Sequence, residues 1–171
     1  MIKSFKLLLL LFYSARAIIG SEYEITVLAT NTANFGGIGE WSFSALLESE
    51  DEKILFDTGF DENTVLHNAK VLNKDLSSVE KVILSHFHGD HTGGLIKLRK
   101  EFMTQNSKAF SKVFVAEGFF KQRYDVNGNL RGFIGGFNDV DNFILQTQKL
   151  GIDFIIIENP TEISPNLILS G

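Results

Sequence analysis

The stretch best suited to chemistry is SHFHGDHTGG, residues 85–94, where four side chains able to bind metal fall within six positions. They are His86, His88, Asp90 and His91, and they include three of the chain's four histidines. Imidazole nitrogen and carboxylate oxygen are ligands that zinc, iron and manganese accept. The spacing predicts that His86 and His88 hold one divalent metal while Asp90 and His91 hold a second. A polar loop of solvated histidines is the alternative, and the density of the cluster favours metal binding.

The elements around this loop follow a strand–loop–helix order. An apolar, strand-like run ending at Leu84 precedes the loop, and a helix-like segment from Leu95 to Phe102 follows it. One predicted strand earlier, the chain reads Leu55-Phe56-Asp57-Thr58-Gly59. By itself, Asp57 with Gly59 could be an ordinary turn at the end of a strand.

Taken together, the HxHxDH loop and the earlier Asp57 phrase resemble the metallo-β-lactamase superfamily. The resemblance implies a divalent metal centre, with zinc as the expected metal, of one or two ions bound by the four loop side chains. It implies that Asp57 holds a ligating histidine by its second ring nitrogen, which fixes the ring's tautomer and orientation. It also implies that Asp90 is catalytic, because its carboxylate can orient the attacking water.

One branch of the superfamily is similar over a longer span, from Tyr23 to Gly171 and most strongly from Ile54 to Leu95. It is the branch of dihydropterin–ribofuranosylaminobenzene phosphate synthase. The present chain departs from that branch inside the loop, with Phe87 where the branch tends to carry glycine and Gly89 where it tends to carry tyrosine. The substrate is therefore not inherited with the resemblance.

Length and composition set limits on domain number and on partners. A chain of 171 residues with 44% hydrophobic residues predicts at most one globular domain. The net charge of −5 and the lack of a basic patch set nucleic acid aside as a partner and favour a small-molecule substrate. Because the sequence has no cysteine, it excludes disulfides, cysteine-ligated zinc, a cysteine nucleophile and a lipoprotein anchor.

Residues 1–20 have the layout of a secretory signal peptide. Lys3 and Lys6 give a basic start, an apolar run covers 7–13, and small residues follow. Arg16 interrupts the apolar stretch before it reaches the ~20 residues that a membrane span needs, so we expect no stable membrane anchor. The expectation is export, to a periplasm or to the medium.

The rest of the chain alternates strand-like and helix-like patterns, which predicts an α/β fold with a mixed sheet and flanking helices. The predicted strands cover 24–29, 41–48, 53–56, 81–85, 112–116, 152–157 and 166–169. Predicted helices follow Asp61, at 95–102 and between Asn138 and Gly151, with Asp61 and Asn138 as caps. His67 lies opposite the apolar stripe of the first helix, so we expect it to face solvent.

The resemblance also implies that residues 21–171 form the N-terminal part of the domain, the first half of an αβ/βα sandwich. No histidine follows His91, whereas the superfamily takes further ligands from later strand ends. The carboxylates that could complete a site within this chain are Glu117, Asp125, Asp139, Asp141 and Glu158. Glu117 is the best placed of these, at the end of a strand, although an ordinary surface role fits it as well.

Three hypotheses about function remain at this level. The first is an exported metal-dependent hydrolase of an ester, amide or phosphoester, for which this chain alone would be inactive. His88 favours zinc-type hydrolysis, because the di-iron relatives carry glutamate at that position. The second is a transferase of the pterin branch that uses the same loop, which export disfavours. The third is a truncated, non-catalytic metal-binding fragment. Pairing into a homodimer would cover a sheet left open in a half-sandwich.

Overall fold

The computed structural model describes residues 23–131, 134, 137 and 139–171. The predicted signal peptide at 1–20 and the predicted helix cap Asn138 therefore lie outside the described residues. Within the part of the chain that the structure describes, no helix is both long and apolar enough to cross a membrane.

The described residues form ten strands and four helices. The strands are β1 Glu24–Ala29, β2 Ser44–Glu48, β3 Lys53–Phe56, β4 Lys81–Leu84, β5 Lys112–Ala116, β6 Arg123–Tyr124, β7 Leu130–Arg131, β8 Asp153–Ile157, β9 Thr161–Ser164 and β10 Leu167–Leu169. The helices are α1 Thr64–Val71, α2 Gly89–Thr92, α3 Leu95–Phe102 and α4 Val140–Lys149.

A six-stranded sheet with the order β1-β2-β3-β4-β5-β8 is the centre of the fold. The first three strands pair antiparallel, and β3, β4, β5 and β8 run parallel to one another. The mixed sheet with flanking helices that the sequence predicted is thereby confirmed. Parallel strands joined through helices place all their carboxyl ends at one edge, where the connecting loops meet.

The middle strands of the sheet are covered on both faces, which explains why they are apolar throughout. In β4, Val82 and Leu84 pack with the helices on one face, while Ile83 packs on the other face. The helical face is the larger core, and α1, α3 and α4 contribute the fully buried Val65, Leu98 and Phe143 to it.

Over β3, β4, β5 and β8, the second face is covered by the β9–β10 hairpin. Apolar side chains of this hairpin pack against Ile54, Ile83, Phe114 and Ile157 of the main sheet. Lys81 ties the hairpin down, because its ammonium group donates to the carbonyl of Ile163 (2.8 Å) and also to the hydroxyl of Ser164. The sequence prediction included β10 but missed β9.

Two boundaries differ from the prediction by two residues or more, and the carboxylate of Glu40 accepts a hydrogen bond near each of them. The predicted strand 41–48 begins only at Ser44, because the carboxylate of Glu40 accepts from Ser42 Oγ (2.6 Å) and holds this segment in a loop. The helix expected after Asp61 begins at Thr64, where the hydroxyl donates to Glu40 Oε2 (2.9 Å). Asp61 is therefore not the cap residue, although its side chain accepts from Asn63 N (2.9 Å).

Candidate metal centre

Two neighbouring parallel strands deliver the candidate site. β3 ends directly before Asp57 and β4 ends directly before Ser85, so the two loops leave the same edge of the sheet side by side. The backbone of Asp57 remains tied to the neighbouring strand, since Asp57 N donates to Ile83 O (2.8 Å). Asp57 then turns with φ of 54°, in the left-handed region that aspartate tolerates better than most residues.

The side chain of Asp57 forms hydrogen bonds with two residues of the metal loop, Ser85 and His91. It is only 1% exposed, yet its carboxylate accepts from Ser85 N (2.8 Å) and Ser85 Oγ (2.7 Å). Its Oδ2 also lies 2.7 Å from His91 Nδ1. Because a carboxylate can only accept, His91 must carry its proton on Nδ1, which leaves Nε2 free as a ligand. Asp57 thus contacts a histidine of the loop, and its role in orienting a metal ligand stays a prediction.

Three of the four predicted ligands are brought together. His86, Asp90 and His91 each offer a ligand atom, and these atoms all lie within 4.8 Å of one another. α2 places the last two, and His91 Nε2 lies 3.5 Å from Asp90 Oδ2. Among the described residues this group does not include His88, which is exposed and whose ring centroid lies 4.6 Å from that of His86. The pairing of His86 with His88 and of Asp90 with His91 on two ions stays a prediction.

The protonation state of His86 suits a ligand. Burial lowers the pKa of the His86 imidazole, and the nearby His91 and His88 lower it further. The hydroxyl of Ser85 lies 3.0 Å from His86 Nδ1, so one serine contacts both Asp57 and His86. A lowered pKa keeps the imidazole neutral, which is the form that binds metal.

Close backbone packing fixes the loop to the turn after β3. A Cβ atom on Gly93 would lie 2.0 Å from Phe60 O, and one on Gly94 would lie 2.2 Å from Thr58 O. Thr58 also donates to His91 O from its backbone N (2.7 Å) and from its hydroxyl (3.0 Å). Glycine is therefore required after the ligands because only glycine lets the two loops approach this closely.

Glu40 is a site-supporting residue that the sequence did not reveal. Its carboxylate accepts from Phe60 N (2.7 Å) and Asp61 N (3.0 Å), which holds the turn after β3 from the opposite side. These partners lie 20 and 21 positions further along the chain, so no local pattern connects them with Glu40.

The five carboxylates considered as further ligands have other places in the fold, and none belongs to the cluster found among the described residues. Glu117 lies 4.0 Å from Lys121 Nζ at the surface. Asp125 shapes the β6–β7 turn by accepting from Asn129 N (2.8 Å), and Asp139 caps α4 by accepting from Asp141 N (2.9 Å). Glu158 is exposed.

His67 also lies outside the cluster. It is exposed, as predicted, and its Nε2 lies 2.7 Å from Gly36 O.

Comparison with known proteins agrees with the fold. A profile of the metallo-β-lactamase superfamily matches residues 42–160. The uncharacterized protein MJ0448 of Methanocaldococcus jannaschii is 30% identical over 147 residues, which cover 86% of this chain and 52% of that protein.

A second relative from M. jannaschii is 7,8-dihydropterin-6-methyl-4-(β-D-ribofuranosyl)-aminobenzene-5′-phosphate synthase. It is 30% identical over 143 residues, covering 77% of this chain and 44% of the relative. This match confirms the predicted resemblance to the synthase branch.

Among solved structures, Tm1679, a metal-dependent hydrolase of the β-lactamase superfamily, superposes with a TM-score of 0.60. It is 27% identical, and the match covers 88% of this chain and 48% of Tm1679. The chain thus spans about half the length of the relatives that it matches. The family profile, the shared fold and the His–Asp–His cluster agree, and the chain belongs to the metallo-β-lactamase superfamily.

Proposed function

We propose that this chain supplies the metal-binding half-site of a zinc-dependent hydrolase, in which water attacks an ester, amide or phosphoester. The observation that carries the proposal is the convergence of His86, Asp90 and His91 within 4.8 Å, with Asp57 fixing the tautomer of His91. Membership of the superfamily supports metal-dependent hydrolase-like chemistry in general. The identity of the metal as zinc and the class of substrate are parts of our proposal that go beyond family membership.

The donor set suits a divalent ion of borderline softness. Two imidazoles and one carboxylate are the ligand types of many catalytic zinc sites, which bind three protein groups and keep one position open. His86 is biased towards its neutral form and His91 presents Nε2, so both rings are prepared to bind. A chain lacking cysteine offers no thiolate that would select softer metals.

In the proposed reaction, the metal ion and the side chains would have different tasks. A bound divalent metal supplies an acidified water and polarises the carbonyl or phosphoryl oxygen under attack. Asp90, half-buried beside His91, can orient the attacking water and accept its proton. Asp57 and Ser85 keep the imidazoles in place during this step.

A second candidate function is transfer rather than hydrolysis. It is favoured by the 30% identity to the dihydropterin synthase, which covers 77% of this chain. In that case the same cluster would stabilise charge on a substrate during group transfer, and water would not be the nucleophile. Hydrolysis and transfer differ in whether the product incorporates oxygen from solvent.

The test uses the protein as expressed from its full gene. We expect it to retain zinc after dialysis and to hydrolyse a generic phosphodiester or ester, with ¹⁸O from labelled water entering the product. His86→Ala should remove both properties, while His67→Ala, a substitution of an exposed histidine outside the cluster, should leave both unchanged. Equal losses in the two variants, or no retained metal in the unmodified protein, would refute the proposal. Turnover without ¹⁸O incorporation would favour the transferase.

We also propose export of the protein and removal of residues 1–20, on the basis of the leader pattern in the sequence. Amino-terminal sequencing of protein recovered from the periplasm or the medium tests this. A mature chain that still begins at Met1 would contradict it.

A further inference from the structure

The metal loop takes part in a cation–π pair whose two residues are not among the predicted ligands. The guanidinium carbon of Arg123 lies 3.7 Å from the centre of the Phe87 ring. Phe87 sits between His86 and His88 in sequence, whereas Arg123 belongs to the β6–β7 hairpin, 36 positions later. The pair therefore joins the metal loop to a separate element of the fold.

The position of Arg123 is fixed by backbone carbonyl groups. Its Nη1 donates to Lys121 O (2.7 Å) and to Phe119 O (3.4 Å), and its Nη2 donates to Gly118 O (3.3 Å). A guanidinium held by three carbonyls loses little further freedom when it stacks on a ring. These bonds thus hold the guanidinium of Arg123 over the Phe87 ring.

Phe87 in turn contacts the ring of His88. Its half-buried ring packs against the main core on one side, and its centroid lies 4.6 Å from that of the His88 ring. The His88 ring also lies 4.6 Å from the ring of His86. The His88 ring therefore contacts two neighbouring rings, although the residue is exposed to solvent.

This differs from the way in which the other histidines are held. Asp57 fixes His91 at 2.7 Å, and Ser85 Oγ lies 3.0 Å from His86 Nδ1. Hydrogen bonds from His91 N (3.0 Å) and Thr92 N (3.1 Å) to the carbonyl fix the backbone of His88, whereas the contacts found for its ring among the described residues are ring–ring contacts, and Arg123 stabilises the Phe87 ring. Removing the cation should loosen Phe87 and, through it, His88.

We propose that Arg123 and Phe87 are positioning residues that hold the His88 imidazole in its place beside the metal cluster. The inference rests on the proposed function and on the prediction from the sequence that His88 is a metal ligand. The chain offers a matched control, because Arg131 pairs with Arg123 across the same hairpin and is exposed. Arg123→Gln and Arg131→Gln remove the same charge from the same element.

The first measurement is made on metal-free protein labelled with ¹⁵N and ¹³C. We expect Arg123→Gln to move the His88 ring protons towards unstructured values, because these protons lie in the field of two neighbouring rings. Arg131→Gln should leave them in place. A His88 signal that responds equally to both substitutions, or to neither, would overturn the inference whether or not the protein binds metal.

The second measurement is zinc affinity, determined by competition with a chromophoric chelator. Arg123→Gln and Phe87→Leu should each weaken binding about 3- to 10-fold, the range expected for loss of a partly exposed cation–π contact. Phe87→Tyr retains the aromatic face and should restore most of the affinity, and Arg131→Gln should stay within about twofold of wild type. Equal weakening by Phe87→Tyr and Phe87→Leu would contradict the positioning role.

The two failures can be told apart. If the unmodified protein binds no zinc but the His88 signal still depends on Arg123, the proposed function fails and the positioning contact stands. If zinc binds tightly and is indifferent to Arg123, the positioning role fails and the proposed function stands.

Discussion

The substitution Asp57→Asn tests how the site prepares a histidine for metal binding. Asparagine tolerates the φ of 54° at this position and keeps one acceptor oxygen for Ser85 N, so the fold should survive. The oxygen that faces His91 Nδ1 at 2.7 Å becomes an amide that donates. His91 should then move its proton from Nδ1 to Nε2, the nitrogen that we expect to bind metal.

The size of the expected loss in zinc affinity follows from the hydrogen bond that His91 Nδ1 loses in the variant. To bind zinc through Nε2, His91 in the variant has to return its proton to Nδ1, where it meets an amide N–H instead of a carboxylate. The loss of one hydrogen bond to a charged, buried group amounts to about 2 kcal/mol. That corresponds to roughly a 30-fold weaker affinity at 1.36 kcal/mol per tenfold, within the ~10- to 100-fold range for partners of metal ligands.

Two assays distinguish this mechanism from general damage. Competition titration gives the zinc affinity, and ¹⁵N shifts of the His91 ring report which nitrogen carries the proton. Urea unfolding of the metal-free protein should change by no more than about 1 kcal/mol, because most packing and one of the serine bonds remain. Asp75→Asn is the matched control, since Asp75 also accepts from a serine, Ser77 N (2.9 Å) and Ser77 Oγ (3.0 Å), but at an exposed turn.

The reasoning would be refuted if Asp57→Asn bound zinc within twofold of wild type. It would also be refuted if His91 kept its proton on Nδ1 in the variant. A loss of affinity equal to that of Asp75→Asn would mean that net charge, and not the tautomer of His91, controls binding.

Three further predictions concern stability and can be checked by urea unfolding. Gly94→Ala should cost about 2–3 kcal/mol, because the new Cβ would lie 2.2 Å from Thr58 O; a variant as stable as wild type would mean that the two loops can separate freely. Arg99→Met should cost about 2–4 kcal/mol, because Arg99 is 5% exposed and donates to three backbone carbonyls that would lose their partner; an unchanged midpoint would contradict this. Burial raises the pKa of Glu48, but hydrogen bonds from Lys74 and Lys53 outweigh it and lower the pKa overall. The stability contributed by Glu48 should therefore be complete above its ordinary value of 4.5 and be lost as pH falls through the lowered folded value, and Glu48→Gln should flatten that part of the profile.

Local patterns predicted most of the elements. Alternating and continuous apolar runs located β1, β3 and β5 with their observed bounds, and the pattern of α3 gave its observed range of 95–102. These signals are strong because the strands are buried on one or both faces and because α3 buries a single stripe. The larger errors lie where Glu40 accepts a hydrogen bond: from Ser42, two positions away, before β2, and from Thr64, 24 positions away, at the start of α1.

The candidate site, too, could be predicted from the sequence only in part. The spacing of His86, His88, Asp90 and His91 identified the metal loop, since four ligand types in six positions need no partner to be noticed. The spacing predicted that His86 pairs with His88 and Asp90 with His91 on two ions, and this pairing stays a prediction, whereas the distances among the four side chains depend on the turn and on α2. In the structure the tight group is His86, Asp90 and His91, and His88 stands beside it.

The sequence by itself determined the order of the elements, the ligand types and the glycines that follow them, because these depend on residues close together in the chain. Only the tertiary structure decided the contacts between distant residues: Asp57 with His91, 34 positions apart, and Arg123 over Phe87. Their geometry arises when parallel strands bring their carboxyl ends to one edge and so press separate loops together. The sequence pattern within any one segment therefore does not predict these contacts.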